Sequence, residues 1–273
     1  MNLDGKTILV TGSTDGVGRR VAERLGAAGA TVLIHGRDRA RGTALADQID
    51  RSGRGRAKFH QADFASLGAV RGLAEAVMRD ETRLDVLINN AGLGSGPPGH
   101  ARAVSADGHE LRFAVNYLAG VLLTHLLLPL LKASAPARIV NVASLGQTPI
   151  DFDDVMLTRE YDGRRAYTQS KLAQIMFTFD LARQLDGSGV TVTCLHPATF
   201  MDTTMVRQSG VTPISTVDQG AEAILNLAVA PEMEGKTGLY YDGLKPAQAD
   251  PQAYDETARA KLHALAARLT GIA

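Results

Sequence analysis

Short apolar runs alternate with longer amphipathic segments along the whole chain. This alternation is typical of βαβ units, in which parallel strands form one sheet and helices cover both of its faces. The apolar runs are nearly continuous, as expected for strands that are buried on both faces. We therefore predict a single α/β domain over residues 1–273, a Rossmann-type, doubly wound parallel sheet of about seven strands with helices on both faces. The predicted strands span residues 7–10, 31–34, 57–60, 86–89, 138–142, 191–195 and 239–241, and the predicted helices span residues 16–29, 39–52, 66–82, 107–131, 166–185, 218–230 and 252–269.

The segment from residue 111 to residue 131 is mostly apolar and about long enough to span a bilayer. It also contains Arg112, Asn116, His125 and Pro129. Each of these residues would be costly or disruptive in lipid. We therefore predict no membrane span, and instead a helix that is buried inside the protein or at a subunit contact.

Charge and cysteine content exclude several classes of protein. The 29 basic and 29 acidic residues give a formal net charge of zero, which argues against non-specific nucleic-acid binding and against a polybasic membrane anchor. Cys194 is the only cysteine, so neither a disulfide framework nor a thiolate metal cluster can form. The amino-terminal segment lacks the basic and apolar regions of a signal peptide. A cytoplasmic location is predicted.

A glycine-rich loop follows the first predicted strand and leads directly into an amphipathic helix. Glycines at 12, 16 and 18 permit a tight turn, close approach of the backbone to a pyrophosphate, and close packing of helix on sheet. The phosphates would lie at the helix amino terminus, where free N–H groups and the helix dipole favour anions. The alternative is an ordinary glycine-rich turn. The predicted cofactor-binding residues of this loop are Gly12, Ser13, Thr14, Asp15, Gly16, Val17 and Gly18.

The end of the second predicted strand bears on the choice of dinucleotide. A carboxylate there would accept the ribose hydroxyls of NAD, whereas an arginine would meet the 2′-phosphate of NADP. No carboxylate ends the strand, and Arg37 is the first long side chain after it. Asp38 is predicted to cap the next helix instead. NADP(H) is therefore favoured, with NAD(H) as the alternative.

A tyrosine and a lysine, Tyr167 and Lys171, lie four residues apart in the predicted helix 166–185. At this spacing both side chains project from the same helix face. A nearby ammonium favours the phenolate, and so lowers the pKa of a tyrosine from its usual value of about 10. The pair could act as a general acid and base; the alternative is a half-buried tyrosine beside a surface lysine. Ser144 and Asn116 are further candidates, and their alternatives are a turn residue and a buried polar group.

These motifs together resemble the short-chain dehydrogenase/reductase family over nearly the whole chain. The retinol-dehydrogenase-like and WW-domain-oxidoreductase-like branch is the most similar, because its tyrosine helix typically continues as Ser170-Lys171-Leu172-Ala173 does here. The matching residues are Thr11, Gly12, Gly16 and Gly18, then Asp63, Asn89-Asn90-Ala91-Gly92, Asn116, Ser144, Tyr167 and Lys171.

The resemblance implies further cofactor contacts. They are Asp63 and the backbone of Phe64 at the adenine, Asn90, Ala91 and Gly92 along the cofactor, and Pro197 and Thr199 at the nicotinamide. Thr203 is an alternative to Thr199, because Ala198 stands where the family commonly has glycine. Asp15 lies where some NADP-preferring relatives carry a basic residue, which is a point in favour of NAD(H).

The resemblance also implies a catalytic tetrad. Tyr167 would donate a proton to a substrate carbonyl during reduction, or remove one from an alcohol during oxidation. Ser144 would hydrogen-bond the same oxygen. Lys171 would lower the pKa of the tyrosine and bind the nicotinamide ribose, and Tyr167 and Lys171 are both also predicted to be cofactor-binding residues. Asn116 would hold a water that joins Lys171 to solvent. The hydride chemistry belongs to the cofactor.

The substrate is predicted to be an apolar aldehyde, ketone or alcohol. Phe200 and Met205 follow the sixth predicted strand, where the family has a lid over its substrate. The alternative is that both side chains simply pack the domain. The apolar excess in residues 111–131 and 172–181 predicts a homodimer or a homotetramer. The chemical identity of the substrate and the physiological direction are left open, because loops rather than the fold set specificity.

Two other functions share part of this pattern. Extended-type sugar-nucleotide epimerases share the Tyr-Lys spacing, but they usually place the second glycine where Asp15 stands and add a larger carboxyl-terminal domain. A dinucleotide-binding redox sensor without turnover would be expected to lack part of the tetrad, whereas all four residues are present. His196, before Pro197, is predicted to have a structural hydrogen-bonding role. No metal site is predicted, because the histidines form no ligand motif.

Overall fold

One sheet of eight strands forms the centre of the computed structural model, which describes residues 2–272. Its strand order is β3-β2-β1-β4-β5-β6-β7-β8, and every neighbouring pair is parallel except β7 and β8. Seven strands correspond to the prediction. The eighth strand was not predicted, because it is only two residues long and contains no apolar run. The strands are β1 Thr7–Val10, β2 Thr31–Gly36, β3 Arg56–Gln61, β4 Val86–Asn89, β5 Ala137–Val142, β6 Val190–His196, β7 Leu239–Asp242 and β8 Lys245–Pro246.

The helices follow the predicted alternation, and a capping side chain marks the amino terminus of each α-helix except α4, which continues from a π-helix. The Asp38 carboxylate accepts a hydrogen bond from the Arg41 backbone N–H at 3.0 Å, so the predicted capping role of Asp38 is confirmed. A short helix after β6 was not predicted. The α-helices are α1 Gly16–Ala27, α2 Arg39–Arg51, α3 Leu67–Asp80, α4 Ala119–Ala133, α5 Gly163–Gln184, α6 Thr204–Gln208, α7 Val217–Val229 and α8 Glu256–Thr270, with a π-helix at Phe113–Leu118 and 3₁₀ turns at Pro231–Met233 and Pro251–Tyr254.

Two predicted helix starts are wrong. Residues 107–110 form a turn, in which Gly108 has a φ of +81°, and a bridge pairs Val104 with Glu110 before the helix begins. At the carboxyl end, Pro251–Tyr254 is a 3₁₀ turn, and α8 begins only after Asp255 caps it. In both cases a turn lies directly before the helix, and the predicted helix had included it.

The sheet is covered on both faces, which confirms the doubly wound architecture. Successive side chains of β1 point to opposite faces, so Ile8 and Val10 join one core while Leu9 joins the other. Helices α1, α2 and α7 pack on the first face, and α3, α4, α5 and α8 pack on the second.

The apolar segment that raised the question of a membrane span lies within the second core. Phe113–Ala133 is long and apolar enough to cross a bilayer by length and composition, and 67% of its most apolar window is buried in the protein. Helix α5 is also buried over most of its length, and α8 packs beside it, joined by a 2.7 Å ion pair between Arg259 and Asp180. The prediction of a buried helix is confirmed.

The strand order reverses direction between β1 and β4, which creates a crevice at the carboxyl ends of these strands. Ligands of doubly wound proteins bind in such a crevice. The loops that leave β1, β4, β5 and β6 all begin at this edge of the sheet, and they carry the glycine loop, residues 90–96, Ser144 and residues 197–203.

Candidate active site

The glycine loop is pressed against the segment that follows β4. Gly12 has a φ of +64°, and a Cβ there would lie 2.7 Å from the Ala91 Cα, so only glycine fits. The Asn90 side-chain amide donates to the Thr11 carbonyl at 2.9 Å and to the Gly12 carbonyl at 3.1 Å. The loop therefore presents backbone without covering side chains at the amino terminus of α1. Such an arrangement fits the pyrophosphate of a dinucleotide.

The charged side chains around the end of β2 differ in their pairing. The Asp15 carboxylate caps α1 and faces the Arg41 guanidinium at 3.5 Å, so a basic group compensates its charge. Arg37 is exposed, and its guanidinium has no hydrogen bond or ion pair with any residue from 2 to 272. A Cβ at Gly36 would lie 2.5 Å from the Thr14 side chain, so the glycine makes room for the glycine loop itself.

The predicted adenine contacts lie in the segment after β3. Asp63 is exposed, and its carboxylate accepts a hydrogen bond from the Ala65 N–H at 3.0 Å. Phe64 is buried, and its ring stacks on the imidazole of His35 with 4.2 Å between the ring centroids. Sequence reasoning passed over His35, although a histidine that ends an otherwise apolar strand was the available signal.

Gly92 is the point at which two of the predicted catalytic residues meet. A Cβ added to Gly92 would lie 3.3 Å from the Asn116 Oδ1 and 3.6 Å from the Lys171 Nζ. Just before it, the Thr11 hydroxyl accepts hydrogen bonds from the N–H groups of Asn90 and Ala91, at 2.9 and 3.0 Å. Thr11 therefore fixes the start of this segment, a role that the sequence motif alone did not reveal.

Asn116 lies in the π-helix and is buried. Its Oδ1 accepts from the Leu93 N–H at 2.7 Å, and its amide donates to the Leu93 carbonyl at 3.0 Å and to the Ser170 hydroxyl at 2.9 Å. The Ser170 hydroxyl in turn donates to the Tyr167 carbonyl at 2.7 Å. The side chain of Asn116 thus connects the loop after β4 to the helix that carries Tyr167 and Lys171.

Ser144 and Tyr167 face each other across Gly146. A Cβ at Gly146 would lie 3.5 Å from the Ser144 Oγ and 3.9 Å from the Tyr167 ring. The Ser144 hydroxyl accepts from the Gly146 N–H at 3.0 Å, and its carbonyl accepts from the Tyr240 hydroxyl at 3.1 Å. Ser144 is therefore held from both its side chain and its backbone.

Lys171 is buried beneath Tyr167. Its Nζ lies 5.8 Å from the centroid of the Tyr167 ring, and it donates to the Val142 carbonyl at 2.8 Å and to the Gln174 Oε1 at 2.9 Å. Burial lowers the pKa of Lys171 to about 7. Burial also raises the pKa of the Tyr167 phenol, against the opposite effect of its hydrogen bond with Ser144.

The segment after β6 reaches back to the glycine loop. The ring of His196 shares a hydrogen bond with the Thr199 hydroxyl at 3.0 Å, and burial lowers the pKa of His196. Pro197 is buried. The side chain of Thr203 would contact a Cβ at Gly16 at 3.3 Å, so Thr203 lies beside the predicted pyrophosphate site and Thr199 lies at the end of β6.

A buried ionic cluster joins the loops beside this site. Arg112 donates to the carbonyls of Gly94 and Ser95, each at 2.7 Å, and to the Tyr161 hydroxyl. Its guanidinium lies 3.7 Å from the Glu110 carboxylate, and the two side chains are 5% and 0% exposed. Sequence reasoning noted Arg112 only as a residue unsuited to lipid. Within residues 2–272, no group of three or more histidine, cysteine, aspartate or glutamate residues is arranged to hold a metal ion.

Comparison with known proteins identifies the family. A sequence profile of the short chain dehydrogenase family matches residues 6–212. The chain belongs to this family. It is 39% identical over 293 residues to Retinol dehydrogenase 13 of Homo sapiens, a match that covers 99% of this chain and 86% of that protein. This short-chain dehydrogenase therefore falls in the retinol-dehydrogenase-like branch and is an NAD(P)-dependent oxidoreductase.

Solved structures share its fold. An uncharacterized protein from Mycobacterium Paratuberculosis superposes with a TM-score of 0.82 at 28% identity, covering 99% of this chain and 95% of that chain. The Pseudomonas aeruginosa RhlG/NADP active-site complex superposes with a TM-score of 0.73 at 27% identity, covering 88% of this chain and 95% of that chain. The predicted fold class and family are confirmed.

The expected effect of Lys171 on the pKa of Tyr167 stays a prediction. In this short-chain dehydrogenase, burial raises the pKa of the phenol. The reason is that desolvation disfavours both charged forms, the phenolate and the ammonium alike. The Lys171 Nζ is also drawn toward Val142 and Gln174, and so it makes no hydrogen bond to the phenol.

Proposed function

We propose that this short-chain dehydrogenase interconverts an apolar aldehyde or ketone and its alcohol by hydride transfer, with NADP(H) as the favoured cofactor. The observation that carries the proposal is the convergence of four predicted residues at the carboxyl edge of the sheet, next to the glycine loop. Ser144 faces Tyr167 across Gly146, while Asn116 and Lys171 flank Gly92. A nicotinamide cofactor supplies the hydride, and the protein supplies position and proton transfer.

In this proposal Tyr167 is the general acid of carbonyl reduction and the general base of alcohol oxidation. The Ser144 hydroxyl donates a hydrogen bond to the oxygen on which charge develops. Ser144 is suited to this role because Tyr240 and Gln147 hold its backbone carbonyl, while the Gly146 N–H donates to its hydroxyl oxygen and leaves the hydroxyl hydrogen available. The raised pKa of the phenol keeps it protonated at neutral pH, as an acid requires.

Lys171 is proposed to position the cofactor ribose and to resupply protons to Tyr167. Its Nζ is held beside Gly92 by the Val142 carbonyl and the Gln174 side chain. The lowered pKa, about 7, would let it gain and lose a proton near neutral pH. Asn116 holds the Leu93 backbone and Ser170 in place; its role as the anchor of a water stays a prediction.

The two reaction directions are expected to differ in their dependence on pH. Oxidation needs the phenolate of Tyr167, and burial raises the pKa of this group, so the oxidation rate should climb by about tenfold per pH unit below that pKa. Reduction needs the protonated phenol and the proton that Lys171 resupplies, so its rate should be level below a pH of about 7 and fall above it. Rates measured from pH 6 to 10 in both directions test this. A plateau of the oxidation rate at neutral pH would show instead that the bound cofactor complex lowers the pKa of the phenol.

We propose that Arg37 selects NADP(H). Its guanidinium is exposed at the end of β2, without a partner among residues 2–272, while Arg41 compensates the charge of Asp15. A guanidinium can pair bidentately with a 2′-phosphate. NAD(H) remains the alternative cofactor.

Arg37→Ala should raise the Michaelis constant for NADPH by about ten- to a hundredfold, because a charge-assisted pair is worth about 1.5–3 kcal/mol. The Michaelis constant for NADH should hardly change. Arg51→Ala, at the other end of α2, is the matched control and should affect neither cofactor. Equal effects of Arg37→Ala on both cofactors, or a wild-type preference for NADH, would refute the assignment.

The proposed substrate is apolar. Phe200 and Met205 are 48% and 40% exposed, so neither side chain is fully buried in the domain core. Met205 lies against Gly94, in the loop that follows the predicted cofactor segment. Ile214, which donates its N–H to the Phe200 carbonyl, is 70% exposed. These side chains provide an apolar surface near the proposed nicotinamide site, which suits a hydrophobic carbonyl compound.

A substrate panel tests the proposed function. Retinoid, steroid, quinone and aliphatic carbonyls and alcohols would be assayed with NADP(H) and NAD(H), beside small charged carbonyl acids. Turnover of apolar compounds is expected. Preference for the small charged acids would contradict the substrate assignment, and cofactor binding without any turnover would favour a redox sensor.

Two further proposals concern assembly and location. A homodimer or homotetramer stays a prediction. The apolar residues 172–181 no longer support it, because they are mostly buried within the chain. On α4, Leu126 and Leu128 are half-buried and remain partly exposed at the surface. A cytoplasmic location also stays a prediction.

A further inference from the structure

His35 lies between the two segments that frame the proposed adenosine site. It is 2% exposed at the end of β2. The Gly12 N–H donates to its Nδ1 at 3.1 Å, and its Nε2 lies 3.2 Å from the Ala62 carbonyl. One imidazole therefore joins the glycine loop to the segment that carries Asp63 and Phe64.

The partners of the ring determine its protonation state. A backbone N–H can only donate, so Nδ1 must offer a lone pair to Gly12. A carbonyl can only accept, so Nε2 must carry a hydrogen and donate it in a hydrogen bond to the Ala62 carbonyl. The ring is therefore a neutral imidazole in the Nε2–H tautomer. A protonated ring would present a hydrogen on Nδ1 to the Gly12 N–H and break the link.

The surroundings favour this neutral form. The Phe64 ring stacks on one face of the imidazole, and burial lowers the pKa of His35 to about 4. Two titratable groups act on it. A charged His60, paired with His35 across β2 and β3, opposes protonation, while the Asp63 carboxylate favours it.

The backbone of His35 strengthens the link to the glycine loop. The His35 N–H donates to the Ser13 hydroxyl at 3.0 Å, and its carbonyl accepts from the Ser13 N–H at 2.9 Å. These bonds hold Ser13 whatever side chain occupies position 35. The imidazole adds the contacts that a substitution can remove, namely those to Gly12, Ala62 and Phe64.

We propose that His35 is a positioning residue that sets the affinity for the dinucleotide, by holding the glycine loop at a fixed distance from the Asp63–Phe64 segment. The inference rests on the proposed cofactor site and does not depend on the substrate. His35 would act without touching the 2′-phosphate, because Arg37 follows it outside the strand. Its effect should therefore be the same for NADP and for NAD.

Calorimetric titration with NADP⁺ and NAD⁺ tests the proposal. His35→Leu removes the donor and the acceptor and places an apolar side chain in the buried site, and it should raise the dissociation constants of both dinucleotides by about tenfold with their ratio unchanged. His35→Gln can still accept from Gly12 and donate to Ala62, and should stay within about threefold of wild type. His60→Leu is the matched control, since the buried Nε2 of His60 has no partner in residues 2–272, and it should bind like wild type.

A second measurement does not depend on how well the leucine variant folds. Long-range ¹⁵N–¹H spectra of the wild-type protein, assigned with His35→Gln, should show a neutral Nε2–H imidazole from pH 5.5 to 8. A charged or Nδ1–H ring would overturn the proposal, as would wild-type affinity in His35→Leu. Failure of the wild-type protein to bind either dinucleotide would overturn the proposed function as well.

Discussion

Tyr167→Phe is expected to reduce turnover by about 10²–10⁴-fold, the usual contribution of general acid–base catalysis. The substitution removes only the phenol oxygen, which faces Ser144 across Gly146. It leaves the ring that lies 5.8 Å from the Lys171 Nζ, and so the packing around the lysine should persist. The dissociation constant of NADP⁺ should change little, because the proposed cofactor cradle is built by the glycine loop and the segment after β4.

Steady-state kinetics and calorimetry on the same preparation test this expectation. Tyr161→Phe is a matched control, because it removes another phenol near the site that is assigned no chemistry. It should cost far less activity than Tyr167→Phe. If Tyr167→Phe reduced a good substrate at nearly the wild-type rate, the assignment of the proton donor would be wrong.

Arg112→Met is expected to have the largest effect on stability, a loss of about 3–5 kcal/mol in the free energy of unfolding. The Glu110 side chain is fully buried, and without Arg112 its charge would keep only hydrogen bonds from the Phe113 N–H and the Tyr161 hydroxyl. The carbonyls of Gly94 and Ser95 would lose their donors as well. Denaturant unfolding followed by circular dichroism measures the loss.

Two variants separate the buried charge from the lost contacts. Arg112→Met combined with Glu110→Gln should recover part of the loss, since the uncompensated charge is gone. Arg183→Met removes a guanidinium that is 68% exposed and paired with an exposed Glu256, and it should cost less than about 1 kcal/mol. A loss below 1 kcal/mol in Arg112→Met would show that water reaches the cluster.

The order of the elements was predictable because it depends on local pattern. Parallel strands covered on both faces need continuous apolar runs, and the helices between them need an apolar stripe, so both periods are visible in the chain. The wrong helix starts lie where the backbone conformation departs from what the residue pattern predicts. Residues 107–110 carry no apolar side chain but lie directly before the apolar segment and were included in its predicted helix; Gly108 instead adopts a positive φ and turns the chain.

The glycine loop and the Tyr-Lys pair were also visible in the chain, since each is defined by short spacings. The meeting of Ser144, Asn116 and Tyr167 was implied only by resemblance to a family. These residues come from different elements, and the sheet topology brings their loops to one edge.

Residue order along the chain is therefore enough to predict the layered fold, the glycine loop and the family, because all three rest on contacts between residues close in sequence or on fixed motifs. The buried polar partnerships required the folded chain. His35 is hydrogen-bonded to Ala62, and Arg112 to Tyr161. These pairs are too far apart in sequence for a helix or strand periodicity to predict them. The pKa directions of Tyr167 and Lys171 belong to the same class, because desolvation depends on every group packed around them and not on their spacing.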